Sequence, residues 1–557
     1  MHNNNTRPFD KLRERTRKIE GNIVNLFDRK IFKGEVIIEG DRITKINPKE
    51  TTSDVYILPG LIDSHIHIES TMMIPSEFAK VAVKNGTVGV VTDPHEIANV
   101  LGEKGIDFMI KNSESTPLKT FYCVPSCVPA TTFETSGATL NADKIDKIFT
   151  KYNLKVLGEM MNYPGVIFND QEVLAKIEIA KKHGAVIDGH APHVTGDNLK
   201  KYIASGITTD HECGDIEEAI EKINLGMKIL IREGSAAKNF EALYPLISKF
   251  NKMVMLSTDD SHPDDLTKFG HINKILKMGI KNGIDIFDLL NAACVNPVKH
   301  YNLPIGLLRE NDYADMIIVD DLKKFNILET IINGNTVYSD GRILFSTKQI
   351  KPINNFEAKR ISESDLHIEP KSKKIKVFEI IENELLTNCI IEKAKIENNN
   401  VVSDIDNDIL KIVVMSRYTK DAKPQIGFIR GFGLRVGAIA TSVAHDSHNI
   451  IAVGTSDEDI MKAINEIVDN KGGLCYVKGT DYYTLPLEFA GLMTQQSCER
   501  IGEIYGRLNH IVKSNGCRLQ SPFMTLSFMA LLVIPSLKLS DKGLFDGDKF
   551  EMTDLFV

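Results

Sequence analysis

LPGLIDSHIHIES, residues 58–70, is the stretch on which the reading of this chain turns. An apolar run ends in two histidines, His65 and His67, two positions apart. Residues i and i+2 of a β-strand share a face, so on a strand both imidazoles aim the same way. Two readings stand open on this stretch alone: ligands of one metal ion on a catalytic strand, or two polar residues where a strand meets solvent. The rest of the chain decides between them.

Downstream, short Val- and Ile-rich runs alternate with amphipathic stretches. The runs are VYILPGLIDSH, TVGVVTDPH, KTFYCVPS, KVLGEMM, AVIDGHAP, ITTDHE, MKILIREG and KMVMLSTDD; between them lie SEFAKVAVKNG, QEVLAKIEIAKKHG and DIEEAIEKINLG, among others. Several of the amphipathic stretches end at a glycine, as helix C-caps do. Eight strand–helix units over about 250 residues predict a (β/α)8 barrel, assigned to residues 58–305. A doubly wound sheet holding a nucleotide would want a Gly-rich turn after the first strand, and the sequence has none there; GFGLRVG, residues 431–437, does not match the dinucleotide pattern either. Residues 1–57 and 306–345 carry β-rich runs with turn signals (KIFKGEVIIEGDRITKINP; ADMIIVD and ILETIINGNTVYSDGRIL) and are expected to pair into one small β domain flanking the barrel. Residues 346–376 are polar and charged, a linker. Residues 377–557 mix strands (DILKIVVMSRY, VGAIATSVAH) with helices (DEDIMKAINEIVDN), which predicts a separate C-terminal α/β domain.

Composition narrows the function. The 557 residues are too many for one core. A net charge of −8, from 67 basic and 75 acidic side chains, gives no support to a nucleic-acid or anionic-membrane partner. No apolar run has the length of a membrane helix, and the first residues lack the apolar core of a signal peptide, so a cytoplasmic protein is expected. The eight cysteines are scattered and read as reduced thiols; Cys123 and Cys127 have no second pair to complete a thiolate metal site. The expected partners are a small-molecule substrate and further copies of the chain as a homo-oligomer.

In such barrels the C-terminal ends of the strands build the active site. Placed on the predicted strands, those ends carry His65 and His67; Asp93 and His95; Glu159; His190; His211 followed by Glu212; Arg232 and Glu233; and Asp259 and Asp260. Ten of the fifteen histidines fall between His65 and His300. Imidazoles and carboxylates at so many strand ends favour a metal site, and the carboxylates favour the harder ions of the set that imidazole also suits.

Together, PGLIDSHIHIESTMM, VVTDPHEIANVLG, VLGEMMNYPGV, DGHAP, TTDHE, IREGSAAKN, LSTDD and, in the last domain, VAHDSHNIIAVG resemble the amidohydrolase superfamily and, within it, the bacterial two-domain adenine deaminases. The resemblance spans most of the chain. It implies two divalent metal ions, Mn2+ or Fe2+ in preference to Zn2+. His65, His67 and Asp259 would hold one ion and His190 and His211 the other. Many relatives bridge the ions with a carboxylated lysine; here Lys155 comes too early on its strand and Glu159 stands in the bridging place. Either aspartate of STDD could be the ligand, with Asp259 the better match to the family's Thr-Asp pattern. The implied reaction is hydrolytic deamination of adenine to hypoxanthine and ammonia by metal-activated hydroxide, with Asp259 moving the proton and Glu212 or Glu233 as a second acid. The alternative is an amidohydrolase opening a cyclic amide such as a dihydropyrimidine or hydantoin.

Other residues keep two readings. Asp93 and His95 could bind an additional ion, orient a ligand, or only bond their neighbours. Arg232 and Glu233 could hold the purine edge or form a structural ion pair. His445, Asp446 and His448 form a ligand-like cluster: a further metal site, a lid over the barrel mouth, or a polar loop. His193 reads as a surface histidine and Cys213 as a buried small residue.

Overall fold

The computed structural model describes residues 16–235, 237–381 and 386–557; residues 1–15 of the first β segment and Ala236 of IREGSAAKN lie outside them. Eight parallel strands carry the site: β1 (Leu61–Ile66), β2 (Thr87–Thr92), β3 (Lys119–Tyr122), β4 (Val156–Met160), β5 (Val186–Gly189), β6 (Thr209–Asp210), β7 (Lys228–Arg232) and β8 (Val254–Ser257). Regular pairing joins β1–β2–β3, β4–β5 and β6–β7–β8. Backbone bonds close the ring between these pieces. Val124 N donates to Val156 O at 2.9 Å and Gly158 N to Val124 O at 2.8 Å; Thr208 N donates to Ile187 O at 3.0 Å; Asp259 N donates to His65 O at 2.9 Å. The result is a closed (β/α)8 barrel.

Local chemistry sets the helices between the strands. Asn141, Asp170 and Asp215 each accept a backbone N–H in the first turn of the helix they precede (Ala142–Tyr152, Gln171–Lys182, Ile216–Asn224), filling donors that the helix leaves unpaired. Gly184 and Gly226 follow two of these helices with φ of 63° and 96°, which glycine adopts without a Cβ penalty.

The run read as one strand, VYILPGLIDSH, is two. Tyr56–Pro59 pairs with Met316–Val319 in the flanking sheet, and Leu61–Ile66 enters the barrel. Gly60 makes the passage, since a Cβ there would stand 2.3 Å from Val88 Cγ1. The flanking sheet has eight strands, drawn from both sides of the barrel: Arg17–Asn25, Lys30–Glu39, Arg42–Pro48 and Tyr56–Pro59 before it, and Met316–Val319, Ile327–Ile332, Asn335–Ser339 and Arg342–Ile343 after it.

The C-terminal domain is built on another eight-stranded sheet. Its strand residues alternate between faces as the pleat requires: Val413, Met415, Ala438, Ala440, Ala452 and Val477 pack under the helix Asp457–Asn470. Ile412, Val414, Ile439, Ile451, Val453 and Tyr476 face the opposite way, into a core shared with Phe78, Val90 and Met109 of the barrel. Residues 346–373 carry little regular structure but are tied to both domains: Thr347 Oγ1 donates to Glu77 at 3.0 Å, Asn355 Nδ2 to Val100 O at 3.1 Å, and Glu357 N to Arg417 O at 2.7 Å. Their polar side chains satisfy backbone rather than fill a core. No helix among the described residues is long and apolar enough to cross a membrane.

Candidate metal centre

All six residues of β1 are buried, and Asp63, at 0% exposure, locks the strand to β8. Its Oδ1 accepts from Thr258 N (3.1 Å) and His65 N (3.2 Å), its Oδ2 takes the Thr258 hydroxyl, and His271 Nε2 lies 2.9 Å from Oδ2. Beyond this anchor, His65 and His67 bring their Nε2 atoms within 3.2 Å of each other. His67 Nδ1 lies 3.0 Å from Asp93 O. A carbonyl only accepts, so Nδ1 carries the proton and Nε2 keeps its lone pair for a cation.

Glu159, on β4, is at the centre. Its Oε1 lies 3.2 Å from His67 Nε2, 3.5 Å from His95 Nδ1 and 3.9 Å from His65 Nε2. Its Oε2 lies 2.7 Å from His190 Nδ1 and 3.2 Å from His211 Nε2. One carboxylate thus divides two groups of imidazoles between its two oxygens. Asp259 completes the first group, with Oδ1 3.3 Å from His67 Nε2 and 3.7 Å from His65 Nε2. The ligand atoms of His65, His67 and Asp259 lie within 4.8 Å of one another, as do those of His65, Glu159 and His211, and of His190, His211 and Glu212.

Two supports hold this geometry. Asp93 Oδ2 accepts the Glu159 backbone N–H at 3.0 Å, and the approach depends on Gly158, where a Cβ would stand 2.0 Å from that oxygen. Arg232, from β7, grips Glu212 with Nη1 at 2.5 Å and Nη2 at 2.8 Å, and also bonds Asp259 Oδ2 through Nη1. This is the two-pronged geometry that guanidinium offers carboxylates.

The electrostatics suit cations. Burial opposes charge on Glu159, but the bond to His190 overcomes it and holds the carboxyl well below its usual range. Burial likewise opposes charge on Asp259 and Glu212; Arg232 is the main group keeping both carboxyls depressed, aided by His67 and His190 respectively. His65 is lowered well below the usual imidazole value by burial and by His211 and His67. The same carboxylates raise the pKa of His67, His190 and His211 against the effect of burial, so acids and imidazoles here hold one another in place of a cation.

The remaining sequence candidates sort by position. His95 is not a strand end but the first residue of the helix His95–Leu101, its ring within reach of Glu159. Asp93 bonds backbone as described. Glu233 rests near Lys274 Nζ, at 3.7 Å, and burial raises its carboxyl pKa. Asp260 Oδ1 accepts from Ser70 Oγ at 2.5 Å, and Glu69 Oε1 accepts from Ile97 N at 3.2 Å. The His193 side chain is 77% exposed, near Glu218; Cys213 is buried and donates to Asp210 Oδ2 at 3.1 Å. His445 and His448 come from the C-terminal domain to the two oxygens of Glu96. Sequence reasoning passed over Glu96, Gly158 and Asp63. Glu96 stood in plain view in TDPHE, but an acid in the first turn of a helix ordinarily needs no explanation beyond the helix dipole.

Comparison with known proteins gives the family. The family model described as "Amidohydrolase family" matches residues 56–337, and "Adenine deaminase C-terminal domain" matches residues 384–551. The chain is 53% identical over 553 residues to the adenine deaminase of Methanosarcina mazei, covering 97% of this chain and 100% of the relative. It is 48% identical over 544 residues to that of Borreliella burgdorferi, covering 96% and 99%. It is 45% identical over 541 residues to that of Salinibacter ruber, covering 97% and 99%. The chain therefore belongs to the metal-dependent amidohydrolase family and, within it, to the adenine deaminases.

Proposed function

We propose that the protein hydrolyses adenine to hypoxanthine and ammonia at the barrel mouth, as a step of purine salvage. The observation that carries this reading is Glu159, whose two oxygens each face a separate group of imidazoles in a chain of this family. His65, His67 and Asp259 would hold one divalent cation, His190 and His211 a second, and Glu159 would serve both. The donors fit: imidazoles together with carboxylates suit Mn2+ or Fe2+, the oxygen share weighing against Zn2+. Two such cations, when bound, acidify water enough to make hydroxide available near neutral pH.

The chain's own residues handle the protons. Asp259 is ionised and fixed at both ends, Oδ1 toward His65 and His67 and Oδ2 on Arg232. It can take the proton from water and deliver it to N1 of the ring or to the departing amine. Attack at C6 makes a tetrahedral carbon that expels ammonia only once nitrogen is protonated. Arg232 positions Asp259 and Glu212 together. Because Arg232 and His190 keep Glu212 ionised, Glu212 serves as a hydrogen-bond acceptor for a substrate N–H rather than as the acid. Burial keeps bulk water from competing for these bonds.

The test is Mn2+-reconstituted protein offered adenine, other purines, a dihydropyrimidine and a hydantoin, with ammonia release and ring opening both followed. Adenine should be the substrate turned over. Ring opening of a cyclic amide with no ammonia from adenine would replace this reading by the alternative one.

A further inference from the structure

Beside the barrel mouth, a second group of buried acids and histidines joins the two domains. Glu96, at 2% exposure, stands in the first turn after β2 and receives the C-terminal loop: His445 Nδ1 contacts its Oε1 and His448 Nε2 its Oε2. His448 Nδ1 accepts from Ala444 N at 3.2 Å, so its Nε2 carries the proton and donates to Glu96. His448 therefore orients Glu96 through Oε2, while Oε1 faces His445 Nδ1 and His95 Nε2.

Around that oxygen the ligand atoms of His95, Glu96 and Asp446 gather within 4.8 Å of one another. His95 Nε2 lies 3.4 Å from Glu96 Oε1. Asp446 is 3% exposed, and its Oδ2 has no hydrogen-bond partner among the described residues. A buried carboxylate oxygen without a partner is costly. Among the described residues no lysine or arginine forms an ion pair with Glu96, Asp446 or Asp260; the partners of Glu96 are all histidines. Two buried carboxylates, one with an unpartnered oxygen and the other with only histidines beside it, offer donors to a cation.

We propose that the protein holds a further divalent cation between its barrel and its C-terminal domain, on His95, Glu96 and Asp446, with His445 alongside. Imidazole with two carboxylates selects a first-row ion such as Mn2+ or Fe2+. The ion would tie residue 96 to residue 446 and join the last domain to the catalytic barrel. His95 makes the link inward: with Nε2 on the cation, its Nδ1 carries the proton and points to Glu159 Oε1 at 3.5 Å. This site is separate from the Glu159 centre, and its metal does not depend on which substrate the enzyme takes.

Mn2+ is the probe. Full-length apoprotein is loaded with Mn2+, desalted, and its metal measured per chain by mass spectrometry. Wild type should carry about three ions, Asp446→Asn about two, and Glu159→Gln should lose the other two while keeping the interdomain one. Equal Mn2+ content in wild type and Asp446→Asn overturns the proposal while leaving the Glu159 centre standing. If Asp446→Asn fails to fold, Mn2+-loaded crystals of the wild type decide. An anomalous peak within coordinating distance of Asp446 supports the site; its absence there overturns it.

Discussion

Glu159→Gln tests the centre most directly, because it changes charge and leaves shape almost intact. Glu159 Oε1 is 3.2 Å from His67 Nε2 and Oε2 is 2.7 Å from His190 Nδ1, so each oxygen serves one of the two cation positions. A unit charge about 4 Å from another is worth about 4 kcal/mol at the effective dielectric of about 20 that fits protein sites. An amide keeps one coordinating oxygen but presents N–H groups to the other position. The loss on the amide side is then at least about 4 kcal/mol, close to a thousandfold in affinity at about 1.4 kcal/mol per decade. The assay is Mn2+ titration of chelator-stripped protein with metal counted after desalting, and circular dichroism to show that wild type and variant apoproteins fold alike. The variant should fail to retain the strand-end pair at Mn2+ concentrations that saturate the wild type. Retention of both ions with unchanged affinity would refute the bridging role and with it the division of histidines between two ions.

Asp259→Asn should abolish turnover, since it removes both an anionic donor and the proton carrier, while Asp260→Asn, whose Oδ1 is engaged by Ser70, should leave measurable activity; the reverse order in steady-state kinetics would exchange the two aspartates. Arg232→Lys should lower kcat by about ten- to a hundredfold with metal content unchanged, because one ammonium cannot reproduce the fork on Glu212 and Asp259; unchanged kcat would show that the fork does not matter. Gly158→Ala should weaken Mn2+ binding, because a Cβ there would stand 2.0 Å from Asp93 Oδ2 and push that carboxylate off the Glu159 backbone N–H; wild-type metal affinity in that variant would refute the packing argument. His300, pushed down to about 3 by burial and by Lys228, is harder to protonate folded than unfolded. Its stabilising contribution is complete above pH 6.5 and lost as pH falls toward about 3, about 2 to 3 kcal/mol by pH 4.5. His300→Gln should therefore lose less thermal stability than wild type between pH 7 and pH 4.5, and equal losses would discount the residue.

Much of this was legible in one dimension because it follows from local periodicity. Alternating β-rich runs and capped amphipathic helices specify strand–helix units, and a two-residue spacing on a strand puts His65 and His67 on one face whatever surrounds them. Strand ends also mark where His190, His211 and Asp259 emerge. Tertiary structure decided what no spacing encodes. Whether VYILPGLIDSH is one strand or two depended on Val88 filling the place of a side chain at Gly60. Arg232 became the clamp on Glu212 and Asp259 because barrel closure sets neighbouring strand ends at hydrogen-bonding distance. Ser70 found Asp260 across 190 residues, and Glu96 found His448 across 352. The first contact arises from closure of the barrel and the second from the docking of one domain on another, where burial strips water from acids and histidines and leaves them only each other, or a cation, as partners.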